Sequence, residues 1–365
     1  MPAKVTRRIG TADKPPMRTA LPGRSLLAAL CVVLSPAVAG AQMYETVGTR
    51  AQGMAGAFVA VADDATATWW NPAGIASGAL LALSIEHSAL QAPAGEVTTG
   101  PGWESGVNGF ALTVPSLGLS YYRLRISEIA PLLGPTAPGG AIREEEVAVS
   151  LRSLSLSQLG ASFGQSLGEH VVLASTLRLL MGGRAVGATF VTPTGAAGTT
   201  GDSAFVEAAD LDIDGNYRVD LDLGVMVKAG GMRVGGSVRH LREPEFGEGA
   251  TAFLLERQAR VGAAWMGGQH GPVSAWTVAF DADVTETVTV LGPARHLAGG
   301  GEVWLWNRRV GVRGGLSQNT VGAEGKATSI GLSFAPKAKF YIDGAFTRGE
   351  DDTLEGWAAA LRLTF

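Results

Sequence analysis

The chain of 365 residues balances 29 Lys and Arg against 33 Asp and Glu, with 46% hydrophobic residues and 51 glycines. Glycine at about twice its usual ~7% share, without a collagen period and beside that apolar content, argues against both disorder and a helical protein. Length leaves a single domain open, because all-β barrels routinely pass ~200 residues as one unit.

Residues 24–41 read RSLLAALCVVLSPAVAGA: a basic flank, an apolar core from Leu26 to Leu34, then the small residues Ala39-Gly40-Ala41. This is the pattern of a signal peptide occupying 1–41, cleaved between Ala41 and Gln42. The apolar core is far short of the ~20 residues that a bilayer-spanning helix needs. Initiation at Met1 gives an over-long basic region and Met17 an ordinary signal of 25 residues; both starts stay open. Cys31, the one cysteine, falls inside the signal, and Leu30 stands where a lipoprotein signal wants a small residue. Neither a disulfide, a thiolate metal site nor lipidation is therefore expected. Losing 1–41 removes six basic residues and one Asp, leaving 23 basic and 32 acidic residues and a net charge of −9. That balance offers no nucleic-acid footprint.

A segment from 42 to 78 precedes the first strand and contains GMAGAFVAVADDATATWWNPAGIA, Gly53 to Ala76. Pro72 removes a backbone donor and restricts the chain to a turn after Asn71. From 79 to 365 the chain breaks into fourteen alternating segments: 79–88, 106–114, 117–126, 155–167, 170–181, 218–229, 232–241, 253–266, 273–284, 297–306, 309–318, 326–334, 338–347 and 355–365. No apolar run after Gln42 approaches 18 residues, so a closed sheet is the remaining way to span a bilayer. The connections alternate between about two to six residues and about seven to thirty-six, as short periplasmic turns and long extracellular loops would. The expected fold is all-β, a transmembrane antiparallel barrel of about 14 strands, with 12 or 16 as neighbouring counts.

Alternation assigns Trp357, Ala359, Leu361, Leu363 and Phe365 to lipid and Ala358, Ala360, Arg362 and Thr364 to the lumen. Asp220, Asp222, Lys228, Arg233, Arg239, Glu256, Arg260, Asp281, Asp283, Arg309, Arg313 and Asp343 also fall on inward faces, since Arg or Lys on the lipid face costs ~2–4 kcal/mol at mid-membrane. Segments 117–126 and 297–306 fit the alternation poorly.

The run DLDIDGNYRVDLD opens like a calcium loop, with Asp210, Asp212, Asp214 and Gly215 in place, but position twelve is Leu221 rather than Glu. Calcium at Asp210, Asp212 and Asp214 and an ordinary acidic turn are the two readings. The region 182–217 reads as a long extracellular loop. The five histidines are scattered singly, with no nucleophile elbow, HExxH pair or phosphate loop, so no enzyme is expected.

ADDA at 62–65, followed by NPAG at 71–74 after a Gly-Ala-rich run, resembles the N-terminal motif of the FadL/TodX-type outer-membrane hydrophobic-compound transporters and their PorV-type relatives. The resemblance implies that 42–78 is a hatch lodged in a 14-stranded barrel. It makes Asp63, Asp64, Trp69, Trp70, Asn71, Pro72, Ala73 and Gly74 the hatch or gating residues; on physical grounds Asp63 and Asp64 are expected to pair with lumen arginines. A structural role in barrel closure is the alternative to gating. The terminal Phe365 resembles the signal read by the barrel-assembly machinery. Expected partners are outer-membrane lipid, that machinery and a small hydrophobic ligand, with no cofactor beyond the calcium candidate. The location implied is the Gram-negative outer membrane. The implied function is passive uptake of long-chain fatty acids or aromatic hydrocarbons; a PorV-type scaffold assisting secretion or conjugation and a general porin are the alternatives.

Overall fold

A computed structural model describes residues 47–92, 102–132, 147–191, 201–289, 292–322, 325–350 and 354–365. The expected signal peptide and its cleavage site lie outside the described residues. From the N-terminal side the barrel strands are β1 (Ala82–Ala92), β2 (Gly102–Val114), β3 (Leu117–Pro131), β4 (Val147–Leu167), β5 (Val171–Val191), β6 (Asn216–Ala229) and β7 (Met232–Arg239). Two short strands, β8 (Glu245–Phe246) and β9 (Phe253–Leu254), make a hairpin outside the barrel sheet. The barrel resumes with β10 (Gln258–Gly267) and β11 (Val273–Asp283), and is interrupted by the pair β12 (Thr287–Thr289) and β13 (Gly292–Ala294). It ends with β14 (His296–Leu305), β15 (Val310–Asn319), β16 (Lys326–Lys337), β17 (Phe340–Gly349) and β18 (Glu355–Thr364).

These fourteen strands close antiparallel, β18 pairing back onto β1. Each of the fourteen expected segments overlaps one of them. One rim carries the tight turns, where Gly168 (φ 69°) and Gly230 (φ 59°) take the left-handed conformation that a side chain resists. The other rim carries the long connections. Both ends of the described chain's barrel, β1's start and β18's end, lie on the turn rim.

The pleat sorts side chains as expected along most strands: Trp357 and Leu361 are half-exposed outside while Ala358, Ala360 and Arg362 are buried inside. Phe280, at 65% exposure, faces out next to the buried Asp281. Arg309 departs from the expected inward position. It sits exposed in the turn before β15, where its guanidinium donates to the carbonyls of Ala335 and Pro336.

Strands β3 to β5 continue well past the rest at the loop rim, so residues 182–191, expected in a loop, are strand. Ile129, Val149, Leu151 and Val191 line the outer face of this extension, and the helix Gly201–Asp210 covers them with Ala204, Phe205 and Ala208.

Candidate functional site

Residues 47–78 lie inside the barrel, and nearly every one is buried. They comprise a short helix, Thr49–Gly53, a second, Ala67–Trp70, and a 3-10 helix, Pro72–Ser77, joined by irregular chain. Such a segment leaves many backbone groups unpaired, and at membrane depth each one needs a partner from protein. The wall supplies them. Glu86 of β1 accepts from the amides of Gly48 (2.8 Å) and Thr49 (3.3 Å), and Asp281 of β11 from those of Phe58 (2.8 Å) and Val59 (2.7 Å). Arg233 of β7 donates to the Val61 carbonyl (3.1 Å) and Arg178 of β5 to that of Thr68 (3.2 Å). Asp281 and Arg233, read from the inward strand faces, thus serve as backbone partners for the plug, and Glu86 and Arg178, which sequence reasoning missed, do the same.

The two sequence motifs meet in space. Asn71 is extended and fully buried; its side-chain oxygen accepts from the Ala73 amide (3.1 Å), capping the 3-10 helix that Pro72 opens. Its amide nitrogen donates to Val59 within the plug and to Val225 on β6, both at 3.0 Å. Gly74 is required by close approach: a Cβ there would stand 1.9 Å from the carbonyl oxygen of Ala62, the first residue of ADDA. The same logic shapes the wall, where a Cβ on Gly224 would strike the Asn71 side chain at 2.3 Å.

The aspartates of ADDA, expected to pair with lumen arginines, meet one that belongs to the plug rather than to the wall. Their common partner is Arg50 of the plug itself, 2.6 Å from Asp63 and 3.0 Å from Asp64. Arg50 then grips Glu302 of β14 with two bonds, 2.8 and 2.7 Å, a forked geometry that a guanidinium favours. Asp64 also accepts from the amide and hydroxyl of Thr66 (2.9 and 2.6 Å), turning the chain into Ala67–Trp70. Trp70 donates to the Val47 carbonyl (2.7 Å), and the Trp69 ring packs on Tyr122, with Arg239 3.7 Å from its centroid. Below, Arg313 and Arg362 bracket Asp343, the latter at 2.9 Å.

Above Trp69 the lumen changes character. Tyr122, Leu124 and Ile126 of β3, Leu154 and Leu156 of β4 and Leu180 of β5 turn buried apolar side chains inward. The Phe246 and Phe253 rings of the β8–β9 hairpin, stacked at 5.0 Å, close over Gly182 against this wall. This inward apolar wall accounts for the poor alternation of 117–126.

Asp210, Asp212 and Asp214 lie exposed, where the helix Gly201–Asp210 leads into β6. Among the described residues the one acidic and imidazole group close enough to share an ion is Asp220, Asp222 and His240, so the expected calcium residues do not converge. That group is satisfied internally: His240 bonds Asp220 (2.8 Å), Arg178 bonds Asp222, and the Leu221 and Arg242 amides donate to Asp220. Phe365 is half-exposed on the turn rim, its amide donating to Leu81 (2.8 Å) and its ring 5.0 Å from the Lys339 ammonium.

No family model and no curated protein matches the sequence. Solved structures do. The chain is similar to the CymD monoaromatic hydrocarbon channel (TM-score 0.56, 11% identity, 87% of this chain and 97% of that one). It is similar to the Ralstonia pickettii toluene transporter TbuX (0.54, 11%, 87% and 98%) and to a Pseudomonas aeruginosa FadL homologue (0.53, 12%, 90% and 99%). At these identities the likeness is one of fold, and the chain has the β-barrel fold of the FadL and TodX hydrophobic-compound channels over most of its length.

Proposed function

We propose that this barrel sits in the Gram-negative outer membrane, loop rim outward, and passes small hydrophobic compounds such as long-chain fatty acids or aromatic hydrocarbons inward without energy input. The observation that carries the reading is the apolar inward wall of β3 to β5, standing directly above a lumen otherwise filled by a charged, hydrogen-bonded plug. A water-filled porin has no use for such a wall, and burial of apolar ligand surface there yields about 25 cal/mol per Å². Trp69 forms the floor of this region and the Phe246–Phe253 hairpin its cover. The names of the similar structures, a monoaromatic hydrocarbon channel and a toluene transporter, support the same substrate class.

In planar bilayers the intact protein should conduct ions poorly. In cells lacking other such channels it should speed uptake of oleate or toluene, and Leu156→Asp should cut that rate about tenfold while the folded barrel is retained, the scale set by burying one uncompensated polar group. High ionic conductance of the intact barrel, or no hydrophobic uptake across a broad ligand panel, would sink the reading.

A further inference from the structure

Along β3 the outward side chains run Leu117, Leu119, Tyr121, Arg123, Arg125: three exposed apolar residues, then two cations. Pairing then relates them to the neighbouring strands. Arg123 pairs with Ser157 of β4, which pairs with Met181 of β5, which pairs with Tyr217 of β6. Met181 and Tyr217 are the last exposed outward apolar side chains of their strands before the loop rim. Along β3 itself, therefore, Arg123 and Arg125 follow the last exposed apolar side chain toward the loop rim, where a polar headgroup rather than acyl chain can meet them.

A second observation concerns what surrounds them. After the helix Gly201–Asp210 the chain descends over the outer face of β5, so close that a Cβ on Gly183 would lie 2.4 Å from the Asp214 carbonyl oxygen. This overhang closes one side of a recess of about 250 Å³ lined by Arg123, Arg125, Ser155, Gly183, Asp212 and Ile213. The Arg125 Nε is buried without a hydrogen-bond partner, and neither arginine has an ion pair among the described residues. A buried guanidinium N–H left unpaired is costly, and native structures pair such groups. Asp212 is the one acid on the recess, so two cations against one carboxylate leave it net positive.

We propose that Arg123 and Arg125 hold the phosphate of a phosphorylated lipid of the outer leaflet, whose acyl chains run down the barrel over Tyr121, Leu119 and Leu179. The planar fork of arginine suits a phosphate, the recess lies where headgroups lie, and the exposed apolar side chains beneath it suit the tails. The site faces lipid, on the opposite side of the wall from the lumen, so it is independent of transport.

The purified full-length barrel, titrated in detergent with diphosphoryl lipid A and read by native mass spectrometry, tests this. The variant Arg123→Gln/Arg125→Gln should bind at least tenfold more weakly, with unchanged heat-modifiability on gels as the control for folding. Ser155→Trp, which fills the recess and leaves both cations, should give the same loss, and Asp212→Asn should bind two- to threefold more tightly. Wild-type affinity in the double variant would overturn the proposal. Equal binding of the dephosphorylated lipid would overturn it too, and displacement of the lipid by millimolar inorganic phosphate would reduce the recess to a simple anion site.

Discussion

Asn71 makes three hydrogen bonds with one side chain, two within the plug and one to the wall, and no other residue type of its size offers an acceptor and two donors together. Asn71→Ala should destabilise the seated plug by about 3 kcal/mol, since buried partners are left unpaired at ~1–3 kcal/mol each. Arg50→Ala should cost about 3–5 kcal/mol, because it strands Asp63 and Asp64 without their cation and leaves Glu302 only Arg313, 3.3 Å away. Denaturant titration followed by the fluorescence of Trp69 and Trp70 checks both, and a loss under 1 kcal/mol for either would show that the plug is held elsewhere. Burial opposes ionisation of Asp63, but the Arg50 charge overrides it and holds the carboxyl below its ordinary value. The motif residues Asp64, Asn71, Ala73 and Gly74 could be picked from sequence because their contacts within the plug reach over two to twelve positions; Thr66, which bonds Asp64, was not picked. Arg50, Glu86 and Glu302 could not, because the bonds that tie plug to wall join residues 37 to 252 positions apart, and Asp281 was legible only as an inward-facing carboxylate, not as a partner of the plug.

At the level of elements, strand alternation located all fourteen barrel strands but not their lengths. The loop-rim ends of β3 to β5 were missed because polarity there reverses: arginines point out, leucines point in, and a helix from a later loop covers the outer face. Segment 297–306 was obscure for another reason. Gly299, Gly300 and Gly301 carry no side chain to show a face, and a Cβ on Gly300 would press on the Met54 carbonyl at 2.6 Å. The connection from 240 to 257, which bears the β8–β9 hairpin, is anchored by His240. Burial holds the His240 imidazole below its ordinary value, the hydrogen bond its ring donates to Asp220 opposes this, and the Arg239 charge adds to it. A released hairpin would take up the proton first, so seating is fully stable above about pH 6.5 and weakens as pH falls toward the lowered value. Amide exchange across 240–257, corrected for intrinsic rate, should run faster at pH 5.5 than at pH 7.5. The difference should vanish in His240→Gln; if it persists there, some other group governs the hairpin.

Across the whole molecule, closure depends on the β1–β18 seam, ten paired positions ending where Leu81 and Phe365 exchange backbone bonds. Deleting Phe365 removes that final clasp and the outward ring beside Lys339, and should slow the appearance of heat-modifiable barrel after a synthesis pulse by several-fold. Unchanged kinetics would remove the residue from any role in assembly.

The spread of the plug's bonds also fixes the order in which this protein can be built. Its partners sit on β1, β5, β6, β7, β11, β14 and β17, so they come from almost the full circumference and from strands made early and late. An empty closed cylinder would leave Glu86, Asp281 and Glu302 without the plug groups they bind, and the plug, interlocked with wall glycines at under 3 Å for an added methyl, has no clearance to slide in along the axis. Such an interlock suits a mandrel, with the sheet wound around the N-terminal segment and the seam sewn last.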